Sequence, residues 1–311
     1  MFTKIEGRLS DSSFGRSATR IGLPWGTDVA RRTAMDNTAC TDAAAEAVLA
    51  FIEFLRPSER RPYTYGYEPG TQNPMPTATF EPHPVVIDNA RKLPGLSLDR
   101  HGAKLIHQKS DVRDLYDETE VVEVYYPEAA ALIKRHTGAR RVVVFDHNVR
   151  RGVSLSVRPG RYRQGRPVMH AHTDYTEVSA ERRLREVLGE AALPLPRRFL
   201  QVNLWRPIRG PLRDTPLAIC DASSIAPQQL APVDLIYPDR AGEIYYLTHD
   251  ARQRWFYAPD MQPEEAWLLK NYDSASSGPA RFAAHSAFKD PTPWSHVPPR
   301  ESIEVRAFAV F

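Results

Sequence analysis

With 311 residues, the chain is long enough for one large β-rich domain or two small ones, and it can bury a substantial core. A hydrophobic share of 42%, a charged share of 25% and a net charge of +3 fit a globular protein and give no reason to expect a nucleic-acid or membrane partner. No run approaches the ~18 apolar residues of a membrane span, Cys40 and Cys220 are too few for a disulfide framework, and residues 1–10 carry early charge without an apolar stretch, so a reducing, cytoplasmic location is expected.

Residues 1–60 read as an N-terminal extension. Its clearest element is a helix over 41–55, with Thr41 as N-cap, apolar residues at helical spacing and Pro57 as the stop. Residues 61–152 read as a flank of helices and strands. Within it, 62–84 is rich in Pro, Gly, Tyr and Thr and is expected to be an extended connector. Short strands are expected at 84–87 and 104–107, helices at 111–116 and 126–136, and a buried strand at 140–147 through its Val-Phe run. From 153 to 311 the pattern is mostly β, with strands at 199–205, 217–220, 243–248, 255–257, 267–272, 281–288 and 302–311 and a helical insertion at 181–188. Residues 61–311 are expected to form one domain. Neither a glycine-rich phosphate loop nor strand–helix alternation is present, which argues against a doubly wound nucleotide-binding fold. Many short strands, Pro/Gly-rich turns and upstream helices predict a mostly β fold with flanking helices, a jelly roll or barrel.

The segment Met169-His-Ala-His-Thr-Asp174 carries the sharpest local signal. Residues two apart in a strand share a face, so His172 and Asp174 would present two metal ligands together. A distant second histidine would complete a 2-His-1-carboxylate triad, which leaves adjacent metal positions open. Alone the triplet is weak in a chain with 10 histidines. His285, in Arg281-Phe-Ala-Ala-His-Ser-Ala-Phe288, is the candidate third ligand, although a lone histidine in an apolar strand reads equally well as core. His170 and His249 are the competing histidines. Arg306 lies inside the apolar terminal strand and needs a partner there. A bidentate dicarboxylate would serve, and so would Glu304. The order of HxD strand, long β region, His strand and Arg strand is that of the double-stranded β-helix oxygenases.

Longer stretches point the same way: LSLDRHGAKLIHQ at 96–108, HTDYT at 172–176, NLWRPI at 203–208, PLAICD at 216–221, KNYDS at 270–274 and PRESIEVR at 299–306. In these words, across residues 75–311, the chain resembles the Fe(II)/2-oxoglutarate-dependent oxygenase group that includes gibberellin desaturase, aspergillic acid hydroxylase and the cephamycin 7α-methoxylation subunit. The resemblance does not extend to residues 1–60. It implies a double-stranded β-helix (cupin-like jelly roll) core at 153–311, with Fe(II), 2-oxoglutarate and dioxygen as cofactor and cosubstrates. It implies His172, Asp174 and His285 as iron ligands, and an arginine for the 2-oxoglutarate C5 carboxylate, for which Arg306 is preferred over Arg300. Asn203 would hold the C1 carboxylate or satisfy a backbone group. Tyr175, Trp205 and Lys270 would shape a substrate pocket or simply pack, Lys270 then pairing with Asp273 at the rim.

The reaction so implied is hydroxylation, desaturation or cyclisation of a small specialised metabolite, coupled to decarboxylation of 2-oxoglutarate to succinate. The expected partner is that small molecule, with a homodimer left open. Three other classes compete. One is a catalytically silent β-helix accessory protein that serves a partner biosynthetic enzyme, against which the intact triad counts. A cupin-like zinc or manganese hydrolase or isomerase is opposed by the terminal-strand arginine. A methyltransferase is opposed by the missing nucleotide loop.

Overall fold

Two β-sheets carry the architecture of the computed structural model, which describes residues 46–67, 69–152, 164–189 and 194–311. The described residues belong to the unit Ala44–Phe311. Their strands begin with β1 (Ala47–Leu55), β2 (Tyr63–Tyr65), β3 (Phe80–Asn89), β4 (Ala103–His107) and β5 (Arg141–Arg151). There follow β6 (Gln164–Gly165), β7 (His172–Thr173), β8 (Phe199–Pro207), β9 (Leu217–Cys220) and β10 (Leu230–Ile236). The last are β11 (Ala241–Leu247), β12 (Trp255–Tyr257), β13 (Glu265–Asp273), β14 (His285–Ala287) and β15 (Glu301–Val310). One sheet has nine strands in the order β1-β3-β12-β9-β14-β7-β11-β10-β2, and the other has six in the order β4-β13-β8-β15-β5-β6.

The sheets face each other across a core that joins Trp205, Trp267 and Leu269 of the six-stranded sheet to Leu217, Ile219 and Phe256 of the nine-stranded one. The central strand β8 is buried along its whole length. Gln201, Asn203 and Trp205 point between the sheets, whereas Val202 and Leu204 pack outward against Ala129, Leu132 and Ile133 of the helix Tyr126–Thr137. The strand keeps its alternation although both faces are buried, with polar Gln201 and Asn203 between the sheets and Leu200, Val202 and Leu204 on the outer side. The helix has Pro127 in its first turn and ends at Gly138, whose φ of 73° is the left-handed cap that glycine adopts without strain. Two facing, mainly antiparallel sheets with helices on the outer face form the jelly-roll core expected from the sequence.

Several expectations need correction. Residues 47–55 form β1, not part of a helix, and pair with β3 from Ala47↔Asp88 to Leu55↔Phe80. Val48, Ala50, Ile52 and Phe54 are buried while Leu49 and Phe51 are exposed, a period of two. The run AVLAFIEFL is apolar at nearly every position, so it satisfies helical and strand spacing together, and only the distant partner β3 decides. These residues therefore belong to the nine-stranded sheet and not to an extension; Thr41, like Cys40, lies outside the described residues. No helix forms at 111–116. Asp114 accepts from the Tyr116 N–H at 2.9 Å and Asp117 caps the short helix Glu118–Glu120, so side-chain acceptors hold turns ahead of the helices. The 62–84 connector holds β2 and the start of β3, and the strand expected at 281–288 is confined to His285–Ala287.

Candidate metal centre

Neighbouring strands β7 and β14 run antiparallel, and His172 sits directly opposite His285. Their ring centroids lie 4.5 Å apart. Asp174 follows two residues after His172, where the strand gives way to the helix Glu177–Leu188. Thr176 and Ser179 form a capping box that fixes this helix start, and the Asp174 N–H donates to Asn271 Oδ1 at 3.1 Å. Ligand atoms of His172, Asp174 and His285 all fall within 4.8 Å of one another, the group of metal-competent side chains that the described residues bring together.

Hydrogen bonds orient each donor. His172 Nδ1 lies 2.7 Å from the His170 carbonyl and His285 Nδ1 lies 3.1 Å from the Ala283 carbonyl. A carbonyl only accepts, so each Nδ1 carries the proton and each Nε2 keeps its lone pair for a metal. Burial, with the neighbouring His172, lowers the His285 pKa to about 4, so the ring is a neutral donor at neutral pH. For Asp174, burial alone would raise the carboxyl pKa, but the neighbouring His172 and His285 rings and the Arg306 charge outweigh it and hold the carboxyl below the usual carboxylate range. Asn203 Nδ2 donates to Asp174 Oδ2 at 2.6 Å, and Gln201 Nε2 donates to Asn203 Oδ1 at 2.8 Å. Two imidazoles with free Nε2 atoms and one ionised carboxylate suit Fe(II).

Trp205, Arg150, Arg300 and Glu304 line the cavity beside the triad. Arg300 is 2% exposed; its guanidinium lies 4.9 Å above the Trp205 ring and donates to Ser302 Oγ at 3.0 Å and to the Thr215 carbonyl at 2.9 Å. Burial, reinforced by Arg150, pulls its pKa down to about 9. Arg306 instead donates to Asp146 Oδ1 at 2.6 Å and is not among the residues that line the cavity. Tyr175 packs against Ala180, Leu184, Phe199 and Phe308, away from that lining. Lys270 is fully buried, not at a rim, and its Nζ reaches Asp99 at 2.8 Å and Asp273 at 3.0 Å. His170 pairs with Glu53 at 2.6 Å and stacks on Phe80, and His249 stacks on His83, so neither joins the triad.

Sequence reasoning missed Arg150 as a wall of the site and took Glu304 only as an ion-pair partner. Glu304 faces the triad cavity, and burial and the Asp174 charge raise its pKa. Its position two residues from Arg306 in β15 signalled the shared face.

Residues 52–311 match the family described as an oxidoreductase/YMDC permease-like domain. The hydroxylase/desaturase efuI of Hormonema carpetanum is 34% identical over 249 residues, covering 73% of this chain and 83% of that protein. The Fe(II)/2-oxoglutarate-dependent dioxygenase nvfI of Aspergillus novofumigatus is 35% identical over 236 residues, with the same coverage of 73% and 83%. The solved structure of the iron and alpha-ketoglutarate-dependent endoperoxidase NvfI superposes with a TM-score of 0.75 at 30% identity, over 85% of this chain and 98% of that one. On these relatives the chain belongs to the Fe(II)/2-oxoglutarate-dependent dioxygenases, non-haem iron enzymes that use Fe(II), 2-oxoglutarate and dioxygen, and the candidate group of His172, Asp174 and His285 suits that chemistry.

Proposed function

We propose that His172, Asp174 and His285 hold the iron, that Arg300 binds the far carboxylate of 2-oxoglutarate, and that the enzyme hydroxylates, desaturates or cyclises a small specialised metabolite. The observation that carries this reading is the convergence of three oriented ligand atoms within 4.8 Å on a cavity whose wall includes a buried arginine. Bound Fe(II), with 2-oxoglutarate and dioxygen, supplies the oxidising chemistry. The protein's part is to bind, orient and exclude water.

Arg300 suits a carboxylate better than Arg306. Its guanidinium plane rests on Trp205 and its described hydrogen bonds go to neutral oxygens, so its charge is left for an anion. Arg306 already has Asp146. Asn203 holds one oxygen of Asp174, leaving the other directed at the metal position, a role that replaces direct cosubstrate binding. Arg150 and Glu304 form a polar wall for cosubstrate or substrate groups, and Trp205 provides an aromatic surface. The low net charge supports a small-molecule substrate over a nucleic-acid or membrane partner, and two cysteines without a disulfide framework support a reducing, cytoplasmic location. Among the described residues, no helix is long and apolar enough to cross a membrane.

The test is anaerobic titration with Fe(II) and 2-oxoglutarate, followed by the visible charge-transfer band of the chelate. His172→Ala and Asp174→Ala should abolish the band, and Arg300→Ala should weaken 2-oxoglutarate binding far more than Arg306→Ala. An unchanged band in both ligand variants, or the reverse order of the arginines, would overturn the corresponding assignment.

A further inference from the structure

The helix Tyr126–Thr137 leaves a second cavity, of about 150 Å³, between itself and the outer face of β8. Its inner wall holds Arg206 and Tyr125, which are 2% and 0% exposed. Arg206 follows Trp205 in β8, so it points to the opposite side of the sheet from the triad. Arg206 Nη1 donates to the Gln108 carbonyl at 3.2 Å and the Pro263 carbonyl at 3.3 Å, both neutral acceptors. Neither its Nε nor the Tyr125 hydroxyl donates to an acceptor at hydrogen-bond distance, although the guanidinium acts on that hydroxyl. The guanidinium carbon lies 5.1 Å from the Tyr125 ring centroid, so the two orphaned donors belong to one corner of the cavity.

The acid in the lining does not answer them. Glu128 accepts from Ser110 Oγ at 2.6 Å and from the Asp111 N–H at 2.8 Å, so its oxygens are engaged elsewhere. Tyr125 closes a π-helical turn, Val121–Tyr125, a local widening of the helix that is frequent at functional sites. Arg135 adds a second positive charge to the lining. Ala129, Leu132 and Leu204 give the remaining wall an apolar character.

We propose that this cavity is a second ligand site, separate from the metal centre, that binds a short-chain carboxylate. The carboxylate meets Arg206 Nε and the Tyr125 hydroxyl, and the aliphatic body lies against Ala129, Leu132 and Leu204. A planar anion suits the guanidinium edge, and the apolar wall favours a carboxylate with a hydrocarbon body over a fully hydrated phosphate.

Propionate is the probe, with 1-propanol as the uncharged comparator, measured by saturation-transfer NMR and calorimetry on the full chain without metal. An Arg300→Ala background removes the proposed cosubstrate arginine. Propionate should bind there as in the parent protein and propanol should not. Tyr125→Phe, which keeps the ring packing, should weaken propionate about 10-fold, and Leu132→Trp, which fills the cavity, should abolish binding. A crystal grown with propionate should show the carboxylate on Arg206 Nε. Loss of binding with Arg300→Ala, indifference to both cavity variants in folded protein, or an ordered water alone at Arg206 would each overturn the proposal.

Discussion

Replacing Asn203 by Leu keeps a side chain of similar length in the interior but deletes the donor that reaches Asp174 Oδ2 at 2.6 Å. A hydrogen bond to an ionised acceptor contributes about 1.5–3 kcal/mol. Since about 1.4 kcal/mol is a factor of ten, losing the whole of it from carboxylate orientation should weaken Fe(II) binding about 10- to 100-fold. Gln201→Leu removes a donor one step further out, on Asn203 Oδ1 at 2.8 Å, and should cost about 3-fold or less. The assay is anaerobic competition for Fe(II) against a fluorescent chelator, with near-UV circular dichroism confirming that each variant is folded. Metal affinity within about 2-fold of the parent would refute the orienting role, because a bond of that strength could not vanish unseen. If Fe(II) affinity held while 2-oxoglutarate affinity fell, Asn203 would instead be the C1-carboxylate ligand first expected from the sequence.

Other outcomes follow from the same geometry. Arg300→Ala should raise the 2-oxoglutarate Kd by about 30-fold or more, as befits a charge-assisted contact, with Arg306→Ala within about 3-fold, both read by the chelate band. His285 binds its proton at about 4 in the fold against 6.5 unfolded, so the unfolded state holds more protons between those values and the metal-free protein should lose stability as pH falls from about 6.5 toward 4. Urea midpoints across that range should therefore fall by up to ~3 kcal/mol equivalent in the parent and by less in His285→Gln. Phe54→Ala should destabilise by about 3–5 kcal/mol, since this fully buried ring in β1 packs edge-on against Trp255; a loss below about 1 kcal/mol would mean that β1 is dispensable. Lys270→Met should cost about 2–3 kcal/mol in urea melts, less than a bare broken pair because Arg198 still reaches Asp273 at 2.7 Å, and should leave 2-oxoglutarate affinity unchanged.

Much of this molecule was readable residue by residue. The Val-Phe run of β5 and the aromatic strands β8, β12 and β13 announced themselves because branched and aromatic residues suit a pleated surface, and the helix Tyr126–Thr137 carried its own proline start and glycine stop. His172 and Asp174 were legible for the same reason, as a local spacing. What was hidden depended on partners far along the chain. β1 looked helical until β3 paired with it. β10 escaped notice because Pro232 interrupts it and its neighbours are β11 and the three-residue β2. The proposed preference for Arg300 over Arg306 rests on Asp146, which lies 160 residues before Arg306 and reaches it through the β5–β15 pairing.

The direct pairing of His172 with His285 has a consequence for how such an enzyme can diversify. The spacing of the two imidazoles is set by the ladder between β7 and β14, whose geometry is nearly the same in every sheet. No loop length enters it. Turns and segments elsewhere around the cavity can therefore lengthen, shorten or change composition under selection for a new substrate, while the two imidazoles keep their spacing. In the proposed metal centre the imidazole spacing is held by backbone and the choice of molecule by side chains, so the two can evolve at separate rates.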